Sequence, residues 1–209
     1  MVRVGVVADT HCPEFLPALP SELFTRLSGV DLILHAGDIG GVEGRETLRQ
    51  LAQIAPVEAV RGDHDAALTE LPLRRELTVA GRRIGLLHGN RSRLLEEPET
   101  LIETLSLGLF QPRPRLYGWL RRQFPEADVV IFGHTHVAVA VRDGRGLLFN
   151  PGPVYAVSSA AARARLANRP NWFETAWLQV IRHRRDDPVA SVGILEFDDD
   201  QIRATIHRI

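Results

Sequence analysis

The chain has 209 residues and a mass of 23.3 kDa; 44% of its residues are hydrophobic and 24% are charged, as in ordinary globular proteins. Its length predicts a single domain over residues 1–209, and its formal net charge of −1 provides no field that would attract nucleic acid or an anionic membrane. All 25 basic residues are arginine, which excludes chemistry that needs a lysine amine. The one cysteine, Cys12, excludes internal disulfides and four-cysteine metal sites, so the eight histidines and the carboxylates must carry the polar chemistry.

The sequence has no stretch of about 18 apolar residues, the length that a transmembrane helix needs. The apolar start at 1–8 is also too short for the hydrophobic region of a signal peptide. We therefore expect a cytoplasmic protein without a membrane span, for which nucleic acid is not an expected partner.

The first third of the chain alternates between strands and helices. Runs rich in Val, Ile and Leu predict strands at Val2–Ala8, Asp31–Ala36 and Val57–Val60. Helices are predicted between them, at Glu22–Leu27 and Gly44–Ala55. This order implies parallel strands joined by right-handed crossovers.

Hairpins replace the crossovers in the rest of the chain, where a buried strand is also predicted at Asp128–Phe132. The predicted hairpins pair Glu76–Val79 with Arg83–His88, Val137–Arg142 with Gly146–Asn150, and Ser191–Phe197 with Gln201–Ile206. Their predicted turns are 80–82, 143–145 and 198–200. Parallel crossovers followed by hairpins indicate an α/β sandwich of mixed sheets.

Two segments, at about 91–127 and 153–185, interrupt the strands and contain 12 of the 25 arginines. Four helices are predicted in these segments: one starts at Pro98, one covers about Arg115–Phe124, one covers about Ser158–Asn168, and one follows Asn171. Such helices could cap a functional site and bind the substrate, or they could pack on the sandwich or on a second copy of the chain. We favour packing, with a homodimer through the aromatic insertions as one form of it.

Aspartate and histidine residues stand at or just after the predicted ends of five strands. They are Asp9, His11, Asp38, Asp63, His64, Asp65, His88, His134 and His136. Ligands of α/β sheets bind at the carboxyl ends of the strands. Carboxylate oxygens and neutral imidazole nitrogens bind divalent first-row metals, and seven ligands, without His64 and Asp65, suit two ions about 3.5–4 Å apart.

The motifs Asp9-Thr10-His11, Gly37-Asp38, Gly62-Asp63-His64-Asp65, His88-Gly89 and Gly133-His134-Thr135-His136 resemble, in this order, the signature of calcineurin-like metallophosphoesterases. Within that superfamily the chain is most similar to the small single-domain prokaryotic phosphodiesterases. The resemblance covers residues 1–90, 128–153 and 189–207 and leaves out both insertions. It implies a four-layer α/β/β/α sandwich of two mixed β-sheets flanked by helices.

The resemblance also implies a centre of two divalent ions, with manganese expected first and iron, nickel, cobalt or zinc as alternatives. One ion would be held by Asp9, His11, Asp38 and His136. The other would share Asp38 and be completed by Asp63, His88 and His134. His64 would act as a general acid oriented by Asp65. His35 and Asn150 would support the ligands from behind, although a packed strand histidine explains His35 equally well.

The implied activity is the hydrolysis of small phosphodiesters by in-line attack of a hydroxide that bridges the two ions. Asp63 stands where the family has asparagine, and its added charge predicts tighter binding of the second ion and weaker attraction for dianionic monoesters. The alternatives are a phosphomonoesterase or protein phosphatase, and a nucleotide or lipid pyrophosphatase. The non-enzymatic alternative is a protein-binding scaffold on the same fold, similar to the retromer subunit.

Overall fold

The computed structural model describes residues 1–90, 113–157, 159–167, 175, 178–179, 189–198 and 201–209. Over these residues the chain forms two five-stranded sheets and four α-helices. The helix predicted from Pro98 lies outside this part of the chain, and so does most of the helix predicted after Asn171. The roles proposed for the two insertions therefore stay predictions.

The first sheet has the strand order β10-β9-β1-β2-β3. Its strands are β1 (Val2–Val7), β2 (Leu32–His35), β3 (Val57–Ala59), β9 (Ser191–Phe197) and β10 (Ile202–Arg208). Strands β1, β2 and β3 are parallel, as the alternation of strands and helices predicts, whereas β9 is antiparallel to both β1 and β10.

The second sheet has the order β4-β5-β6-β8-β7. Its strands are β4 (Arg74–Val79), β5 (Arg82–Leu87), β6 (Val129–Ile131), β7 (Val139–Asp143) and β8 (Gly146–Asn150). The pairs β4–β5 and β7–β8 are the predicted hairpins, and β6 is parallel to both β5 and β8. Both sheets are thus mixed, and both have parallel strands at their centre.

Alternating side chains along the strands build four layers. Val6 and Leu86 point into the apolar core between the two sheets, and the next residues, Val7 and Leu87, point to the outer faces. Helices α1 (Ser21–Leu27) and α2 (Gly44–Leu51) cover the outer face of the first sheet, while α3 (Arg113–Gln123) covers that of the second. This confirms the predicted α/β/β/α sandwich. The fourth helix is α4 (Ser159–Ala167), and its residue Ala162 packs against Val157.

Most predicted boundaries shift by one or two residues, and the physical reason is clear for two of the wrong ones. Helix α2 ends at Leu51 instead of Ala55, because Ile54 N–H donates to Leu51 O and tightens the last turn. Strand β7 extends through Asp143, which the sequence placed in the turn. Asp143 pairs with Gly146 and its carboxylate accepts the N–H of Arg145, so the turn itself is stabilised from the last strand residue.

One ion pair fastens α3 to the end of β7. The side chain of Arg121 is 2% exposed; its Nε and Nη2 atoms donate to the two carboxylate oxygens of Asp143 at 3.1 Å each, and its Nη1 donates to Ala127 O at 3.3 Å. Burial raises the pKa of Asp143, but hydrogen bonds from the Arg145 backbone and from Arg121 outweigh burial and lower it overall. The pair therefore stabilises the fold while Asp143 is ionised.

Replacing Asp143 by alanine should lower the free energy of unfolding by about 1–3 kcal/mol at neutral pH, because a buried guanidinium loses its partner while Asp143 itself is a third exposed. The folded-state pKa is lowered, so this stabilisation is present above the ordinary aspartate value of about 3.9 and is lost as pH falls below it. Urea unfolding of the wild type and of Asp143→Ala, at neutral pH and at a pH below about 3.9, measures the difference in the free energy of unfolding. An equal loss in an Arg121→Met background would contradict the role of the pair.

No helix in the described part of the chain is long and apolar enough to cross a membrane.

Candidate metal centre

The predicted metal ligands lie in five loops at the carboxyl edge of the two sheets. Strand β1 leads to Asp9 and His11, β2 to Asp38 and β3 to Asp63. In the second sheet, β5 leads to His88 and β6 leads to the loop that contains His134 and His136. Both sheets therefore contribute side chains to a single cluster.

Backbone hydrogen bonds extend the parallel pairing beyond the strand ends and hold these loops in register. Asp9 N–H donates to Gly37 O at 3.0 Å, and His11 N–H donates to Asp38 O at 3.0 Å. The two sheets are joined where His134 N–H donates to Asp9 Oδ1 at 3.1 Å. The loops are thus fixed relative to one another by main-chain contacts before any ligand is considered.

The backbone is strained at most of the candidate ligands. Six non-glycine residues in the described part of the chain have a left-handed φ, and five of them are candidate ligands: Asp9 (51°), His11 (43°), Asp38 (55°), His134 (64°) and His136 (52°). This conformation is uncommon for residues with a side chain, and strain of this kind concentrates at functional sites. It turns each side chain out of the strand direction and into the cluster.

Two glycines make room for the side chains of Asp38 and His88. A Cβ atom on Gly62 would lie 2.1 Å from Asp38 Oδ1, and a Cβ atom on Gly37, which has a φ of 88°, would lie 2.8 Å from His88 Nδ1. A side chain at either position would push a candidate ligand out of place. The glycines that accompany the ligand motifs therefore permit close approach of the loops.

Asp38 lies at the centre of the cluster. Its Oδ2 atom is 3.5 Å from His11 Nε2 and 3.3 Å from His88 Nε2. On the His11 side, His136 Nε2 lies 3.5 Å from Asp9 Oδ1, and the three side chains of Asp9, His11 and His136 can offer ligand atoms within 4.8 Å of one another. These are three of the four residues expected to hold the first ion, and their assignment as ligands stays a prediction.

The other side of Asp38 carries a second group with the same spacing. Asp63 Oδ1 lies 3.0 Å from His88 Nε2 and 3.4 Å from His134 Nδ1, and the three residues form another set of possible ligands. His88 donates Nδ1–H to Ala36 O at 2.8 Å, which leaves Nε2 directed at Asp38 and Asp63. A backbone acceptor on the far ring nitrogen is typical of a metal-binding histidine.

Buried polar atoms without hydrogen bonds indicate that these residues fit a cation. Asp9 Oδ2, His11 Nδ1 and His88 Nε2 are buried and have no hydrogen-bond partner. Burial raises the pKa of Asp9 to about 7, and the nearby imidazoles of His88 and His134 and the His134 N–H offset burial only in part. A divalent cation would supply the missing partner for Asp9 Oδ2 and His88 Nε2 and stabilise the ionised carboxylate.

The imidazoles respond differently to the same cluster. Burial lowers the pKa of His136 to about 3 and also lowers that of His11, so both rings are neutral and can act as ligands. Burial lowers the pKa of His88 too, but Asp38 and Asp63 outweigh burial and raise it well above its usual value. For Asp63, the nearby imidazoles of His134 and His88 outweigh burial and hold the pKa below its usual range.

His64 lies beside the cluster and is 37% exposed. Its backbone N–H donates to Asp38 Oδ1 at 3.1 Å, and its ring lies edge-on to the His11 ring with centroids 4.7 Å apart. Burial lowers its pKa, but Asp38 and Glu14 outweigh burial and raise it overall. An accessible imidazole with a raised pKa is well placed to donate a proton to a bound ester.

The carboxylate nearest the His64 ring is Glu14, whose Oε1 atom lies 3.2 Å from His64 Nδ1. Glu14 was not among the predicted site residues, although its position three residues after His11, in the same loop, could have indicated that it lies near the site. Asp65, which was expected to orient His64, is fully buried and accepts the backbone N–H groups of Ile39, Gly40 and Gly62. An effect of Asp65 on His64 would pass through this loop and stays a prediction.

The two residues expected behind the ligands both contact ligand loops. His35 accepts the Gly37 N–H at Nδ1, its Nε2 lies 3.0 Å from Thr10 Oγ1, and burial lowers its pKa to about 4, so it is a neutral donor and acceptor. Asn150 donates Nδ2–H to Gly133 O at 2.8 Å, next to His134. Their importance for metal binding stays a prediction.

Two aromatic rings that sequence analysis did not single out adjoin the cluster. Phe15, which is 40% exposed, has its centroid 5.2 Å from that of His11 and 5.5 Å from that of His64. Tyr155 packs against Phe15 and His11, and its backbone N–H donates to Asp9 O at 2.9 Å. These contacts depend on loop paths and leave no periodic pattern in the sequence.

Comparison with known sequences identifies the family. A family model described as the calcineurin-like phosphoesterase superfamily domain matches residues 2–167. The chain is 32% identical over 150 residues to a probable metallophosphoesterase from Methanothermobacter thermautotrophicus, covering 71% of this chain and 75% of the relative. It is 34% identical over 151 residues to a probable metallophosphoesterase from Methanocaldococcus jannaschii, covering 71% of this chain and 66% of the relative.

Solved structures share the fold at lower identity. Wild-type Vps29 from Entamoeba histolytica complexed with zinc matches with a TM-score of 0.64 and 22% identity, over 100% of this chain and 98% of that one. A predicted phosphoesterase from Streptococcus pneumoniae matches with a TM-score of 0.58 and 18% identity, over 99% and 89% of the two chains. With two mixed sheets, clustered aspartate and histidine ligands, and a family match over 166 residues, the chain belongs to the calcineurin-like phosphoesterase superfamily.

Proposed function

We propose that this protein is a phosphodiesterase with two divalent metal ions, manganese being the first candidate. The observation that carries the proposal is the position of Asp38, whose Oδ2 atom lies within 3.5 Å of a histidine in each of two adjoining ligand sets. A carboxylate between two such sets is the arrangement of a bridging ligand. Family membership supports phosphoester hydrolysis in general, and the diester preference is our inference.

Each of the two ligand sets would hold one ion, and both would include Asp38. One ion would be held by Asp9, His11, Asp38 and His136, and the other by Asp38, Asp63, His88 and His134. Two divalent ions supply a water nucleophile at neutral pH and neutralise charge on the phosphoryl group. The strained loops keep these ligands in place without reorganisation, which lowers the cost of binding.

His64 would act on the leaving group. It is accessible, adjoins Asp38 and Asp63, and is held on its Nδ1 side by Glu14, so that Nε2 is the ring nitrogen left for the substrate. A proton from this imidazole neutralises the alkoxide as the ester bond breaks. Phe15, beside both His64 and His11, excludes water from one side of the ring.

The test joins metal analysis to a paired assay. Protein loaded in turn with Mn, Ni, Co, Zn or Mg is given a chromogenic phosphodiester and the matching monoester. We expect two ions per chain and faster turnover of the diester with at least one transition metal. Preference for the monoester would favour a phosphomonoesterase, and turnover of pyrophosphate-linked substrates alone would favour a pyrophosphatase.

Asp63→Asn provides a sharper test of the diester preference. Removing one negative charge beside the second ligand set should raise the monoester-to-diester rate ratio and weaken binding of the second ion. Because Asp63 is 46% exposed and solvent screens its field, we expect the rate ratio to rise by only about five- to tenfold. Calorimetric metal titration and the paired assay measure both effects. Asp128→Asn, which removes the same charge at the opposite edge of the second sheet, is the control, and unchanged affinity and ratio in Asp63→Asn would refute the hypothesis.

A protein-binding scaffold on the same fold is the non-enzymatic candidate. The likeness to Vps29 over the whole chain favours it, but identity near 20% establishes the fold alone. A scaffold has no need for an accessible imidazole beside a complete ligand set. Metal-loaded protein that turns over no phosphoester would support the scaffold.

A further inference from the structure

One carboxylate, that of Glu14, faces two histidines that have different roles. Its Oε1 atom lies 3.2 Å from His64 Nδ1, and its Oε2 atom lies 3.8 Å from His11 Nδ1. The side chain is about one-third exposed, and it can offer ligand atoms together with those of His11 and His64 within 4.8 Å.

We propose that Glu14 is a positioning residue that sets the ring tautomer and orientation of both His11 and His64. The inference deepens the proposed function and rests on it for the roles of these two histidines. By accepting Nδ1–H from each ring, Glu14 leaves Nε2 of His11 for the metal and Nε2 of His64 for the substrate.

The proposed contact between Glu14 and His11 involves a buried ring nitrogen. His11 is 3% exposed, and its Nδ1 atom has no hydrogen-bond partner. Its Nε2 atom lies 3.5 Å from Asp38 Oδ2, which places the opposite ring nitrogen toward Glu14. The Oε2–Nδ1 distance needs to shorten from 3.8 Å to the usual range of about 2.7–3.2 Å, and such bonds commonly tighten when a site is loaded.

On the His64 side, the contact is already of hydrogen-bond length. A carboxylate can only accept, so the ring atom that faces it must carry the proton. Of the other nearby carboxylates, Asp38 and Asp63 belong to the proposed ligand sets, and Asp65 is occupied by three backbone N–H groups in the loops after β2 and β3. Glu14 is therefore the carboxylate that remains for the His64 ring.

The loop that carries Glu14 is anchored just before this residue, to the loop after β2 and to helix α2. Thr10 Oγ1–H donates to Ile39 O at 2.6 Å, Cys12 N–H donates to Ile39 O at 2.9 Å, and Thr47 Oγ1–H donates to Cys12 O. Gly40 lets the loops touch, since a Cβ atom there would lie 1.8 Å from Cys12 O. A fixed loop can hold a carboxylate at a defined distance from two rings.

The chemistry predicts a double effect from one substitution. A carboxylate behind a metal-binding histidine raises the basicity of the ligand and fixes its tautomer, and its loss commonly costs about 10–100-fold in metal affinity or activity. Loss of Glu14 should therefore weaken metal binding at the His11 side and misorient His64. The second effect should depend on the leaving group, because only a poor leaving group needs the proton.

The test compares Glu14→Gln, Glu14→Ala and Glu14→Asp with wild-type protein, all loaded with zinc or with the metal that gives the highest activity. Glu22→Gln, an exposed residue at the start of α1, removes the same charge far from the loop and is the control. We expect Glu14→Gln and Glu14→Ala to lose about tenfold or more in affinity for one of the two ions. Turnover of an alkyl diester should fall at least about tenfold further than that of a nitrophenyl diester, and Glu14→Asp should recover part of both losses.

A readout independent of turnover completes the test. Long-range proton–nitrogen NMR correlations of the zinc-loaded protein should show Nδ1–H on His11 and on His64 in the wild type and a changed tautomer or mixture in Glu14→Ala. Unchanged tautomers, metal affinity and leaving-group dependence would overturn the proposal. Wild-type protein that binds metal but hydrolyses no ester would instead refute the proposed function, while the NMR and affinity measurements would still test Glu14.

Discussion

Replacing Asp38 by asparagine is expected to reduce turnover of the preferred ester at least about a thousandfold, equivalent to about 4 kcal/mol of transition-state stabilisation. Asp38 Oδ2 lies within 3.5 Å of a histidine in each candidate ligand set, and the neutral amide would remove the negative charge that the two proposed ions would share. Metal content should fall below two ions per chain. Metal analysis and steady-state kinetics on the same preparation measure both effects.

Asp31→Asn is the matched control for this substitution. Asp31 precedes β2, whereas Asp38 follows it, so the two substitutions remove the same charge at opposite ends of one strand. An asparagine oxygen at 31 can still accept the Arg3 N–H that Asp31 Oδ2 accepts at 2.7 Å. Full activity with two ions bound in Asp38→Asn would show that Asp38 is not a bridge and that the proposed centre is wrong.

Replacing His64 by asparagine is expected to lower turnover of an alkyl phosphodiester by about a hundredfold, the usual size of a lost general acid. Metal binding should remain at the wild-type level, because the ring faces Glu14 and the substrate side while the two ligand sets are complete without it. The loss should be much smaller for a nitrophenyl diester, whose leaving group is stable without a proton.

His207→Asn, in the edge strand β10, removes an imidazole that lies two strands from β1 and belongs to neither candidate ligand set, and it serves as the control. His64 also lies within ligand distance of Asp38 and Asp63, which makes a second interpretation testable. A fall in metal content parallel to the fall in turnover would identify His64 as a ligand and would contradict its role as an acid.

The predicted ligands came together because two simple rules apply at once. Apolar runs end just before Asp9 and Asp38, and parallel strands place their carboxyl ends at one edge. The left-handed φ at both residues could not be predicted, since the sequence has aspartate where the backbone would favour glycine. The strain is tolerated because neighbouring loops hold both residues.

Contacts between loops were beyond prediction. His64 and Glu14 are 50 residues apart, and no periodicity links them. Tyr155 comes beside Phe15 and His11 because Asp9 O accepts its backbone N–H. The end of β7 also escaped prediction, because Asp143 is a common turn residue that here pairs with Gly146 and with a buried arginine from another layer.

The amino-acid sequence by itself determined the layered α/β class and the five loops that carry the ligands, because hydrophobic periodicity sets where strands end and chemistry-bearing residues follow those ends. Only the tertiary structure decided which carboxylate faces the proposed acid. Asp65, next to His64 in sequence, is taken by three buried backbone N–H groups that would be costly to leave unpaired. Glu14, in a loop from another strand, is the carboxylate left to contact the ring.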